Sequence, residues 1–255
     1  MATRTVDETL PALGDAPAVA VYAQLPDPCR RGVVVLHEIF GRQPEIDRVV
    51  ARFAAAGYAA VAPDLFAAPE RIPGGFKPLD FVAASRPLCI SRAVRDLGRG
   101  EGPSFARIRR ARAWLCEQSG LEPAAVGLIG FCFGGGFALA AGAGFGAVST
   151  NYGPVPTTGA MTGIGPVIGC YGGNDFAFRS APRQLRDRLR PLGIEPEIHV
   201  VDGAGHSFLT DGHHPIGRAL SWPLMRIGFR GELAEQGWAH ILAFFDRQLD
   251  RRLAP

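Results

Sequence analysis

The stretch "GLIGFCFGGGFALAAGAG", Gly127–Gly144, sets a cysteine inside a cluster of glycines. Upstream, "AVGLIGF" (Ala125–Phe131) is a short apolar run of the kind that buried parallel strands carry, and downstream Phe133–Ala143 reads as a helix. Cys132 therefore stands on the turn between a strand and a helix, where three readings compete. Gly130-x-x-x-Gly134-x-Gly136 matches the spacing of a dinucleotide-binding turn. It lies halfway along the chain, however, and none of Tyr22, Tyr58, Tyr152 or Tyr171 has a lysine four residues on, as the dehydrogenase version of that turn would need. A second reading makes Cys132 a small buried hydrophobe, the ordinary fate of a free cysteine and one open to Cys29, Cys89, Cys116 and Cys170 as well. The third takes Gly130-x-Cys132-x-Gly134 as a nucleophile elbow. Glycine two residues before and after is needed there because the turn leaves no room for a Cβ, and the positive end of the helix favours a thiolate.

The flanking pattern points to one fold class. Apolar runs at Val19–Leu25, Gly32–Glu38, Tyr58–Phe66, Gly146–Gly153, Gly165–Gly172 and Pro196–Gly203 alternate with helical periodicities at Pro44–Ala56, Ser104–Gly120, Ala181–Leu192 and Glu232–Leu249. Such alternation specifies an α/β protein, a mostly parallel central sheet with helices on both faces. No Pro-, Gly- or Ser-rich linker divides the chain, so residues 1–255 read as a single domain. Residues 65–103 and 203–231 interrupt the alternation and read as irregular segments that serve as a lid or line a pocket.

Composition excludes several classes. The formal net charge of +3 is modest and spread along the chain, unlike a nucleic-acid binder. No run of about 18 apolar residues and no apolar leader is present, so no membrane association is expected. Five cysteines without a C-x-x-C pair suggest neither a disulfide framework nor a zinc knuckle and fit a reducing cytoplasm. Lys77 is the sole lysine, so any chemistry that requires one has a single candidate. His213, His214 and Asp211 have no compelling metal spacing, and neither a metal nor a cofactor is expected.

An elbow makes two further demands: an acid after a later strand and a histidine after the last one, in that order. Asp175 follows the run ending at Gly172, and His206 follows the run ending at Gly203, with Asp202 as an alternative acid. His199 lies within a strand run and His240 within the last helix, positions that suit packing or solvent. The run "VVVL" ends in His37 and Glu38, and the loop after it would supply one oxyanion N–H from Ile39, with the second from Phe133 after the nucleophile.

Four segments together, "HEIFG" (His37–Gly41), "GFCFGG" (Gly130–Gly135), "GGND" (Gly172–Asp175) and "GHSF" (Gly205–Phe208), resemble in order the signatures of the dienelactone hydrolases, over roughly residues 15–250. The resemblance implies an α/β-hydrolase fold and a Cys132–His206–Asp175 triad. It also implies that Glu38 holds the resting thiol protonated and takes its proton when substrate binds. The expected substrate is a small-molecule ester, lactone or activated acyl compound, and the expected protein is cytoplasmic and a monomer or a small homo-oligomer.

The substrate clamp departs from that family. Thr210 stands four residues after the histidine, where the family carries an arginine. Arg86 and Arg92 are candidates for a second carboxylate contact, and Trp222 for a wall of the pocket. The rival reading is a non-catalytic α/β-hydrolase-like protein that binds a ligand or a partner.

Overall fold

The structure, a computed structural model, describes residues 2–66, 85–211 and 223–251. Its strands are β1 (Ala2–Leu10), β2 (Val19–Asp27), β3 (Arg31–Leu36), β4 (Tyr58–Pro63), β5 (Val126–Phe131), β6 (Val148–Asn151), β7 (Val167–Gly172) and β8 (Glu197–Val201). The helices are α1 (Pro44–Ala55), α2 (Ser85–Arg99), α3 (Pro103–Ser119), α4 (Phe133–Ala140), α5 (Ala181–Leu189) and α6 (Gly231–Asp250). One eight-stranded sheet runs β1-β2-β4-β3-β5-β6-β7-β8. β1 and β2 join it antiparallel, and every pairing from β4 through β8 is parallel.

Because side chains alternate across a strand, each central strand feeds two cores. Val34 and Leu36 of β3 and Leu128 of β5 pack with Phe105, Ile108 and Leu115 of α3 and with Phe137 of α4. Val33, Val35 and Ile129 face the other way, onto Ile46 and Phe53 of α1 and Trp238, Ile241 and Phe245 of α6. Pro44 opens α1 at its first turn, where the missing N–H costs nothing, and its apolar stripe of Ile46, Val49, Val50 and Phe53 is buried as its spacing predicts. Gly127 lets α6 close on the sheet: a Cβ there would stand 2.3 Å from the Phe245 ring.

Two elements differ from the sequence reading. β1 pairs with β2 over nine residues, although the N-terminal stretch carries no strand signal. Residues 85–99 of the segment read as irregular form α2, and Pro87 is tolerated because it falls in the first turn. The remainder of that segment, 67–84, and residues 212–222 of the second lie outside the described residues. No helix among the described residues is long and apolar enough to cross a membrane.

The strand order reverses between β3 and β5: the chain leaves β3 for β4 on one side and returns to β5 on the other. Open α/β sheets bind ligands in the crevice outside the carboxyl ends of the strands at such a point. Glu38 follows β3 and Cys132 follows β5, on its two sides.

Candidate active site

Cys132 joins β5 to α4 with φ 50° and ψ −117°, a left-handed backbone that side-chain-bearing residues rarely adopt. The turn is pinned by Cys132 N–H donating to Asn151 O (2.9 Å) and by Gly135 N–H donating to Cys132 O (2.9 Å). The glycines on either side are required by contact. A Cβ on Gly130 would lie 2.0 Å from Gly134 O, and one on Gly134 2.5 Å from His37 O. Phe133 is the first residue of α4, so its N–H has no carbonyl one turn earlier in the helix to meet.

The second half of the site hangs from β7 and β8. His206 Nδ1 lies 2.6 Å from Asp175 Oδ2, and both residues are buried. Asp175 Oδ1 takes the Phe178 N–H at 3.3 Å, which leaves Oδ2 to orient the imidazole. Asp202, the alternative acid, is exposed in the turn after β8. The ring of Phe178 stacks on His206, and that of Tyr152 meets it 5.0 Å away. Nε2 is buried and has no hydrogen-bond partner among the described residues. Burial, the strongest single influence, disfavours the imidazolium. It is outweighed by the charge of nearby Cys132 and by the hydrogen bond and charge of Asp175, which push His206 up to about 10.

Glu38 is buried, and hydroxyls hold both of its oxygens. Oε2 accepts from Ser207 Oγ (3.1 Å), and Oε1 accepts from Thr210 Oγ1 (3.0 Å) and from the Tyr152 hydroxyl (3.4 Å). Thr210, expected to face the substrate, thus spends its hydroxyl on Glu38. His37 fixes the backbone beside it. Its Nε2 accepts from Leu65 N–H (2.9 Å), so Nδ1 carries the proton and donates to Glu38 O (2.7 Å). The turn continues with Gly41 N–H donating back to Glu38 O, setting Ile39 at its corner. Of the other expected residues, Arg92 is exposed on α2, the side chain of Arg86 is not described, and Trp222 lies outside the described residues. His213 and His214 lie outside them too. His199 and His240 stack on each other at β8 and α6, away from the triad, as packing residues.

Sequence reading assigned no role to His37, Tyr152 or Ser207. A signal existed for His37 and Ser207, each beside a residue already singled out. Tyr152 is brought in from β6 by the sheet alone.

A mostly parallel sheet with an elbow after its central strand and a His–Asp pair after later strands defines an α/β-hydrolase. The sequence profile of the dienelactone hydrolase family matches residues 19–249. The chain belongs to that family and is a hydrolase of ester or lactone bonds, which sets aside the non-catalytic reading. It is 31% identical over 184 residues to a carboxymethylenebutenolidase of Pseudomonas putida, covering 69% of this chain and 74% of that one. It is 28% identical over 236 residues to the carboxymethylenebutenolidase of Rhodococcus opacus, covering 85% and 81%. Its fold is similar to that of the dienelactone hydrolase-like promiscuous phosphotriesterase P91 from metagenomic libraries, with a TM-score of 0.73, 23% identity, and 97% and 98% of the two chains covered.

Proposed function

We propose that the chain hydrolyses a small ester, lactone or activated acyl compound, with Cys132 as nucleophile and a thioester acyl-enzyme as intermediate. The observation that carries this reading is the placement of Cys132 at φ 50° on the N-terminus of α4, beside a buried His206–Asp175 pair. The thiol proton passes to the Glu38 carboxylate, and Sγ attacks the carbonyl carbon. The Ile39 and Phe133 N–H groups hold the oxyanion, one such donor being worth about 3 kcal/mol. The C–O bond breaks, and the leaving oxygen departs with the proton that Glu38 took from the thiol, which restores the carboxylate.

In the thioester, as in the resting thiol, Cys132 carries no charge, so the upward pull that its thiolate exerts on the imidazole is absent and His206 acts as a base. In that state Nε2 takes a proton from water, the water oxygen attacks the thioester, the C–S bond breaks and the thiol is restored.

The test is intact mass after brief exposure to an activated aryl ester. A transient acyl adduct on the wild type and none on Cys132→Ala is the expected result. An adduct that persists in Cys132→Ala, or turnover undiminished by that substitution, refutes the nucleophile.

A further inference from the structure

We propose that Thr210 and Tyr152 are positioning residues that allow Glu38 to exist with and without a proton in the same buried setting. The proposal rests on the reading of Glu38 as the acceptor of the Cys132 proton. A buried carboxylate and a buried carboxylic acid need different partners: the first only accepts hydrogen bonds, and the second must also donate one. A fixed set of donors serves the first and opposes the second, so a group that cycles between them needs a neighbour able to reverse.

Thr210 has that capacity. Its Oγ1 lies 3.0 Å from Glu38 Oε1, 3.4 Å from the backbone carbonyl of Ser207 and 3.3 Å from the Tyr152 hydroxyl. With Glu38 ionised, Ser207 donates to Oε2, Thr210 donates to Oε1, and the Tyr152 hydroxyl, 3.4 Å from Oε1 and 3.3 Å from Thr210 Oγ1, shares its one proton between those two oxygens. When the S–H bond of Cys132 breaks and its proton forms an O–H bond at Oε1, Thr210 turns its own proton to the Ser207 carbonyl. Its oxygen now accepts from Glu38 while still accepting from Tyr152. No proton is gained or lost in the rearrangement, and every polar atom keeps a partner.

Three features support a built device. Glu38, Tyr152, Ser207 and Thr210 are all buried, so water cannot supply the missing partner. Tyr152 (φ 42°) and Ser207 (φ 55°) both hold left-handed backbones, a strain that persists where the surrounding structure fixes it. Burial, with the Glu38 charge second, keeps the Tyr152 phenol protonated and a donor. Among the described residues, the titratable and charged groups around this cluster are Glu45 on α1, close enough to feel Glu38, the Arg48–Asp211 ion pair beyond it, and Cys132 and His206 across the site.

The experiment is the pre-steady-state acylation burst with p-nitrophenyl acetate between pH 5 and 9, for wild type, Thr210→Val, Thr210→Ser, Tyr152→Phe and Glu38→Gln, each checked by thermal melting. Thr210→Val is expected to slow the burst about tenfold with KM changed less than about twofold and to displace the acid limb of the pH profile. Thr210→Ser, which keeps the reversible hydroxyl, is expected within about threefold of wild type. Should Thr210→Val not fold, Tyr152→Phe reads the same network, with a loss of about threefold. A Thr210→Val (or, in that case, Tyr152→Phe) burst and pH profile equal to wild type, with Glu38→Gln impaired, overturns the proposal and leaves the role of Glu38 standing. If Glu38→Gln also matches wild type, both fall.

Discussion

The ring of Phe178 lies stacked on that of His206, with 5.0 Å between centroids and 27° between planes. The same residue gives its backbone N–H to Asp175, so one side chain braces the imidazole while its main chain braces the acid that orients it. Phe178→Ala removes the first support and keeps the second. We expect slower thioester hydrolysis by about two- to tenfold, in line with about 0.5–1.5 kcal/mol for a ring pair, and an acylation burst close to wild type. Single-turnover kinetics separate the two steps.

Asp175→Asn changes the pH dependence of stability as well as the rate. His206 is raised from 6.5 to about 10 in the folded chain. The folded state therefore holds a proton that the unfolded state releases, and the associated stability is complete below about pH 6.5 and is lost as pH climbs toward 10. Urea unfolding of the wild type at pH 6, 8 and 10 should show this decline. In Asp175→Asn the slope should flatten and turnover should fall by about three to four orders of magnitude.

Glu45 shows the same sign of pH dependence for a different reason, because here the charged form is the disfavoured one. Burial near the start of α1, with the Glu38 charge adding to it, pushes its carboxyl up from 4.5 to about 7. The folded chain binds the extra proton, so this group removes stability as pH rises from about 4.5 through 7. Glu45→Gln should leave stability at pH 4 near wild type and raise it above pH 7. Thermal melts across that range check the sign.

Selective alkylation should separate the cysteines. Burial drives the Cys170 thiol up to about 12 and raises those of Cys29 and Cys116. Only thiolates react with iodoacetamide. Peptide mapping after brief treatment at pH 7.5 should find the label on Cys132 well before Cys170, and saturation with a substrate analogue should protect it.

Gly130→Ala tests the elbow itself. Its new Cβ would meet the carbonyl oxygen of Gly134, a backbone atom that cannot rotate aside. We expect a loss of at least about 2 kcal/mol in stability and no detectable acyl adduct. Denaturant titration and mass spectrometry read the two effects.

Legibility in the sequence followed the locality of the cause. Cys132, Asp175 and His206 were readable because each sits a fixed few residues past a strand end, and the strands announce themselves by apolar runs. β1 was silent because its alternation is carried by Thr3, Thr5, Asp7 and Thr9 with mostly exposed residues between, which leaves no apolar face to detect. α2 was hidden by prolines, although Ala93 and Leu97 pack inward at helical spacing. The cradle of Glu38 was illegible for a different reason: Tyr152 lies 114 residues away in sequence and Thr210 172, so only the closed sheet brings them together.

The strand order also divides the site mechanically. Glu38 and Cys132 extend from adjacent central strands whose separation is set by the backbone ladder, about 4.8 Å. Asp175 and His206 depend instead on β7 and on β8, which among the described strands is outermost and paired on one side only. The arrangement is that of a vice with one fixed jaw and one sprung jaw: Glu38 and Cys132 keep their spacing, and under the proposed mechanism accommodation of substrates of different bulk falls to the arm that carries His206.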